Sequence, residues 1–389
     1  MSPLTPRERV LAVLDREQPD QVPIFLGADL TTGVLTAAYR RLTVRLGVDP
    51  PERWLYDWPE LGAPRMAESV LELLHSDVRG IQDRFPSATY TRNRARPTGS
   101  PYLDDWGVGH PEIEPEIYFP AIHPLAQATS SQDLHTYPHW PDMHDPSRYA
   151  HLAAEAAALV KENRYAVIAA PWLLSPLERA FQLQGMQAFL IHWVDHPDFA
   201  GELLARITEL CKIHQEHFLA EIGPDIDILI LADDLGTQSS LLISPRMYRR
   251  ILKPLHAELI AFVKTRCRAR IFFHSDGDIF PLLDDLVEIG VDILNPIQTT
   301  AGQMADLLQL KQRYGSELVF CGAIDTQRVL PFGTPAQVRD EVRRVMQSLT
   351  PNGGYLLAPV HSIPNETPPE NILAMIAAAL EFGKYPFRG

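Results

Sequence analysis

The stretch Ile271-Phe272-Phe273-His274-Ser275-Asp276-Gly277-Asp278 places a histidine at the end of an apolar run and a carboxylate two residues later. On an extended chain, residues i and i+2 share a side, so the His274 imidazole and the Asp276 carboxylate point the same way. A second histidine, His361, follows the apolar run Tyr355 to Ala358 and precedes the turn-forming Ser362-Ile363-Pro364. A neutral imidazole and a carboxylate oxygen are both zinc ligands, and a catalytic zinc keeps about three protein ligands and one open position. His274, Asp276 and His361 would suffice, with Cys321 or Asp234 as an alternative ligand. The same groups could instead act in acid–base catalysis or hydrogen bonding with no metal.

Other polar residues fall just beyond apolar runs: Asp29, Asp77 with Arg79, Trp172, Asp233 with Asp234, Asn295 with Gln298, and Asp325. Asp77, Asp234, His274 and His361 are the expected catalytic set. Asp29, Arg79, Trp172, Asp233, Asn295 and Gln298 are the expected substrate-binding set. Each has a plainer role open to it. One of Asp233 and Asp234 suits a helix cap, since adjacent residues on a strand point apart. Asp77 and Arg79 could form a structural ion pair, Trp172 a pocket wall, and Cys321 a small buried apolar residue.

These residues need strands to carry them. Short apolar runs near residues 24, 79, 168, 229, 272, 293, 319 and 357 alternate with helical patterns. Thr5-Pro6-Arg7-Glu8, Ser175-Pro176-Leu177-Glu178, Thr334-Pro335-Ala336-Gln337 and Thr367-Pro368-Pro369-Glu370 read as capping boxes at helix starts. About eight βα units predict an α/β chain folded as a (β/α)8 TIM barrel, with the polar residues gathered at the C-terminal mouth. An open doubly wound sheet is the rival. Neither Gly-x-Gly-x-x-Gly after the first strand nor a Walker phosphate loop supports its nucleotide-binding versions. Residues 85–149 break the pattern, being rich in Pro, Tyr, His and Asp. They predict a long insertion after the second strand, with hairpin strands at Ala88–Thr91 and Ile117–Phe119, covering the mouth of one domain spanning residues 1–389.

Composition narrows the partners. A net charge of −14 with no dense Lys/Arg run argues against nucleic acid. No apolar run is long enough to cross a membrane, and the first residues lack the apolar core of a signal peptide. Cys211, Cys267 and Cys321 are too few and too scattered for a disulfide framework, which fits a reducing cytoplasm. A small-molecule substrate is expected.

Taken together, the chain resembles the uroporphyrinogen decarboxylase superfamily. The likeness rests on Arg7-Glu8-Arg9-Val10, Pro19-Asp20-Gln21-Val22-Pro23, Ser244-Pro245 with Pro254, His274-Ser275-Asp276-Gly277-Asp278, Gly290-Val291-Asp292, Cys321-Gly322-Ala323-Ile324-Asp325 and His361-Ser362-Ile363-Pro364, then Thr367 to Asn371. It covers nearly all of the chain outside 85–149 and implies a TIM barrel. In the decarboxylases, which use no cofactor, an Asp after the second strand contacts the pyrrole nitrogens and a His lies near the last strand. Asp77 and His361 match these. The arginine-rich segment that holds the substrate carboxylates is replaced by Gly27-Ala28-Asp29-Leu30-Thr31-Thr32-Gly33. In the corrinoid-linked methyltransferase branch, zinc is bound through His-x-Cys and a later Cys. His274 matches the histidine, while Asp276 and His361 stand where the cysteines would be. The resemblance therefore implies metal-dependent methyl transfer or demethylation of a small molecule, with zinc as cofactor and a corrinoid-carrying partner protein allowed. The alternative is a cofactor-free decarboxylase of uroporphyrinogen or a related acid. The superfamily's precedent also allows a homodimer. A ligand-binding protein without turnover is the reading from outside enzymology.

Overall fold

The computed structural model describes residues 3–51, 53–55, 62–171 and 175–386. Strand β1 (Val78–Ile81) is followed by two small antiparallel pairs, β2 (Tyr102–Leu103) with β3 (Gly109–His110) and β4 (Glu112–Glu114) with β5 (Ile117–Tyr118). Then come β6 (Ala166–Ala169), β7 (Ile228–Ala232), β8 (Arg270–His274), β9 (Ile293–Asn295), β10 (Val319–Ile324) and β11 (Tyr355–Pro359). The order β1-β6-β7-β8-β9-β10-β11 forms one curled parallel sheet of seven strands. Most of its residues are buried on both faces, as parallel strands covered by helices must be.

The expected strand at Val22–Leu26 bridges both edges of this sheet without forming a regular ladder. Ile24 pairs in parallel with Leu357, Phe25 donates its N–H to the Leu357 carbonyl at 2.8 Å, and Asp77 donates its N–H to the Ile24 carbonyl at 2.9 Å. Pro23 has no N–H to give, and the Ile24 N–H goes to the Asp77 carboxylate at 2.7 Å instead of to a carbonyl. Phe25 and Phe272 stack across the interior with centroids 5.4 Å apart.

Helix Pro6–Leu14 has the expected capping box and lies at the N-terminal ends of the strands. Its Val10, Val13 and Leu14 pack into the interior cluster with Val78, Ile168, Ile228, Phe272, Ile293, Val319 and Leu356. Arg7 clasps Asp227, the residue before β7, with Oδ1 2.9 Å from Nη2. That end of the sheet is thus closed by apolar packing and ion pairs, and the C-terminal end is left for chemistry.

Three local expectations differ from what is observed. Ala88–Thr91 lies in a helix, Ser87–Arg94, whose Asn93 side chain bonds the Leu103 backbone in both directions. Thr367 forms no capping box: helix Pro369–Phe382 starts after Pro368, and the buried Thr367 hydroxyl has no partner among the described residues. The box at Ser175 is replaced by a cap from another strand, described below. Before Pro254 the helix widens into a π-turn, Tyr248–Leu252, which accommodates the missing donor.

Candidate functional site

His274 ends β8, Asp276 follows in the turn, and His361 lies two residues beyond β11. One ligand atom from each can be chosen so that all three lie within 4.8 Å of one another. The two imidazole centroids are 5.6 Å apart. His274 is buried, with its Nδ1 2.6 Å from Asn295 Oδ1. Asp276 Oδ1 is buried and has no hydrogen-bond partner among the described residues. A buried carboxylate oxygen without a partner costs free energy unless a cation or proton satisfies it. The donor set and this orphan fit a divalent metal.

The loops that carry these groups are held by backbone contacts. The Asp276 N–H donates to Asp234 Oδ1 at 2.8 Å, and the Gly277 N–H donates to Gln298 Oε1 at 2.7 Å. Gly277 has φ +90°, and a Cβ there would sit 2.4 Å from the Gly236 carbonyl carbon. Only glycine allows these two loops to cross so closely.

The electrostatics follow from crowded carboxylates. Burial works to lower the His274 pKa, but Asp276 and Asp234 outweigh it and the imidazole is raised above its ordinary value. Burial, then the Asp276 charge, raises Asp234. Glu178 is raised well above the usual carboxyl range by burial, then by Asp234 and Asp233. Two carboxylates this close do not both ionise readily. Each has one stabilising donor, the Asp276 N–H for Asp234 and the Ser175 hydroxyl, 3.0 Å away, for Glu178.

Glu178 was legible in the sequence only as part of a capping box. The missed signal is that its helix, Pro176–Gln184, begins just after β6 and so presents its first turn to the C-terminal end.

The remaining expected site residues separate by place. Asp29 is buried, accepts from the Thr31 hydroxyl at 2.6 Å and the Thr32 N–H at 3.1 Å, and raises the pKa of both His274 and Cys321. Asn295 and Gln298 touch the site as given above. Cys321, level with Asn295 on the neighbouring strand, is buried in the interior, and its thiol is pushed well above the ordinary value by burial. It does not join the three-ligand group. Asp325 caps its own turn, accepting from the Gln327 and Arg328 N–H groups at 2.7 and 3.1 Å.

Asp77, Arg79 and Asp233 make structural contacts. Asp77 precedes β1 and lies at the N-terminal end of the sheet, opposite His274, where its Oδ1 is 2.6 Å from Arg9 Nη1. Arg79 grips Glu68 through Nε and Nη2 at 2.7 and 2.6 Å and lies over the Tyr165 ring. The two do not pair with each other. Asp233 is fully buried and caps helix Pro176–Gln184, accepting from the Leu177 and Glu178 N–H groups at 3.0 and 2.8 Å, and it also binds His256 Nε2 at 2.9 Å. Trp172 lies outside the described residues.

The family described as uroporphyrinogen decarboxylase (URO-D) matches residues 113–382. Among curated proteins, a uroporphyrinogen decarboxylase of Coxiella burnetii is 25% identical over 190 residues, 48% of this chain and 48% of its own. A methylated-thiol–coenzyme M methyltransferase of Methanosarcina mazei is 24% identical over 211 residues, 54% of this chain and 52% of its own. The chain thus spans about half the length of the curated relatives it matches. A solved methyltransferase from Methanosarcina mazei shares the fold, with TM-score 0.66 at 18% identity over 97% of this chain and 99% of that one.

Proposed function

The chain belongs to the uroporphyrinogen decarboxylase family, and on that premise we propose that it transfers or removes a methyl group on a small molecule, using a divalent metal held by His274, Asp276 and His361. Zinc is the first choice for two imidazoles and a carboxylate. The observation that carries this reading is the convergence of one ligand atom from each of the three residues, with an Asp276 oxygen left unpartnered among the described residues. When bound, the metal would supply Lewis acidity toward a donor or a thiol-type acceptor.

The chain's own residues then have defined tasks. Asp234 and Gln298 hold the Asp276–Gly277 backbone in place. Asp29 contributes negative potential behind His274. Glu178, whose carboxyl is raised by burial and the charges of Asp234 and Asp233, is the candidate proton donor to a departing group. The structural likeness to a methyltransferase supports the fold that such chemistry would use, on an eight-staved barrel whose first stave is 22–26. We take residues 85–149 as a cover for the mouth within the same unit. The buried ion pair of Asp104 with Arg179, 2.9 Å apart, supports this by tying the segment to the helix that Asp233 caps. A corrinoid-carrying partner protein, a homodimer and a cytoplasmic location belong to the same reading.

The decarboxylase relatives support a second reading, cofactor-free release of CO2 from uroporphyrinogen or a related acid. The Arg9 pairing of Asp77 and the absence of an arginine clamp in Gly27–Gly33 weigh against it. Assaying demethylation of methylated thiols and amines beside CO2 release from uroporphyrinogens I and III decides between them. Metal-dependent demethylation is expected; CO2 release untouched by chelators would favour the second reading.

A further inference from the structure

His274 offers two nitrogens, and the surrounding strands select which one faces the site. Asn295 ends β9 directly beside His274 in the β8–β9 register and is fully buried. Its Nδ2 lies 3.3 Å from the Cys321 carbonyl oxygen on β10. A carbonyl oxygen only accepts, so the amide must turn its NH2 toward β10. Its Oδ1 then faces His274 Nδ1, 2.6 Å away. That oxygen also only accepts, so Nδ1 must carry the proton. A neutral imidazole protonated at Nδ1 has its lone pair on Nε2. Three adjacent strands thus form a one-way relay: carbonyl on β10, amide on β9, imidazole on β8.

We propose that Asn295 is a positioning residue that locks His274 in the Nδ1–H tautomer and thereby presents Nε2 as the nitrogen facing Asp276 and His361. This deepens the metal reading above and rests on it for its functional consequence. An aspartate at 295 would keep the acceptor for Nδ1 but lose the donor to Cys321. An alanine would lose both and leave Nδ1–H buried without a partner, free to settle in the other tautomer.

The test has two readouts on wild type, Asn295→Ala and Asn295→Asp. Nitrogen-15 NMR of the metal-free protein, at a pH where the imidazole is neutral, reads the His274 tautomer, assigned with His274→Gln. Competition with a chromophoric chelator reads zinc affinity on protein shown to be folded by circular dichroism. The expected results are Nδ1–H in wild type, a fall in zinc affinity of about 10- to 100-fold in Asn295→Ala, and recovery of most of that loss in Asn295→Asp. An Nε2–H tautomer in wild type, or unchanged affinity in Asn295→Ala, would overturn the proposal. If wild type binds no zinc, the metal reading fails, and the tautomer of the metal-free protein still decides the role of Asn295.

Discussion

Replacing Asp233 tests whether the buried acid of the Asp233-Asp234 pair is structural. Its carboxylate accepts from two backbone N–H groups at the start of helix Pro176–Gln184 and from His256 Nε2. Losing a helix cap costs about 1 kcal/mol. Losing the hydrogen bond to a charged group costs roughly 1.5–3 kcal/mol, with the buried His256 Nε2 left without its carboxylate. Asp233→Ala should therefore destabilise the fold by about 2.5–4 kcal/mol, a large part of the roughly 5–15 kcal/mol available to a domain. Asp233→Asn keeps one acceptor oxygen and should cost about half as much. Urea unfolding with chelator present, compared at equal m-value, reads this without contribution from bound metal. The expected signature is lost stability with near-normal zinc affinity in whatever remains folded. A stability loss in Asp233→Ala below about 1 kcal/mol, or lost zinc affinity at unchanged stability, would refute the reasoning and return Asp233 to the site.

Two further outcomes follow from the geometry. Gly277→Ala introduces a Cβ against the Gly236 and Thr237 backbone at a positive φ. It should lower zinc affinity at least tenfold and cost about 2–3 kcal/mol of stability, read by the same competition and urea titrations. The thiols of Cys211, pushed up to about 12 by burial, and of Cys321, pushed well above its ordinary value by burial, should not react with a disulfide reagent at pH 8 until the protein unfolds. Rapid modification of either in the folded protein would contradict their burial.

Much of the fold was legible because each strand of the curled sheet is a short apolar run between helical patterns. The segment 22–26 was harder: Pro23 and the Asp77 carboxylate interrupt its ladder, and no local pattern reveals a side chain doing the work of a carbonyl. The same uncertainty over where a strand begins misplaced Asp77. Taken as part of a strand from His75, it could point into the mouth. With β1 starting at Val78, it belongs to the opposite end. Ala88–Thr91 has β-favouring residues, yet it forms a helix anchored by Asn93 to residues ten positions on. Glu178 and the second role of Asp233 were out of reach because they depend on β6 and β7 lying side by side. His274, Asp276 and His361 were legible as ligand types at strand ends, but their convergence needed the sheet to curl.

On the proposed function, His274, Asp276 and His361 bind one metal ion. The direct measurement is elemental analysis of protein purified without a histidine tag, for wild type, His274→Ala and His361→Ala. About one zinc per chain in wild type, lost in both variants while their circular dichroism stays native, is the predicted result. Wild-type protein that takes up no stoichiometric divalent metal, or variants that keep it, would rule out a metal site built from these residues.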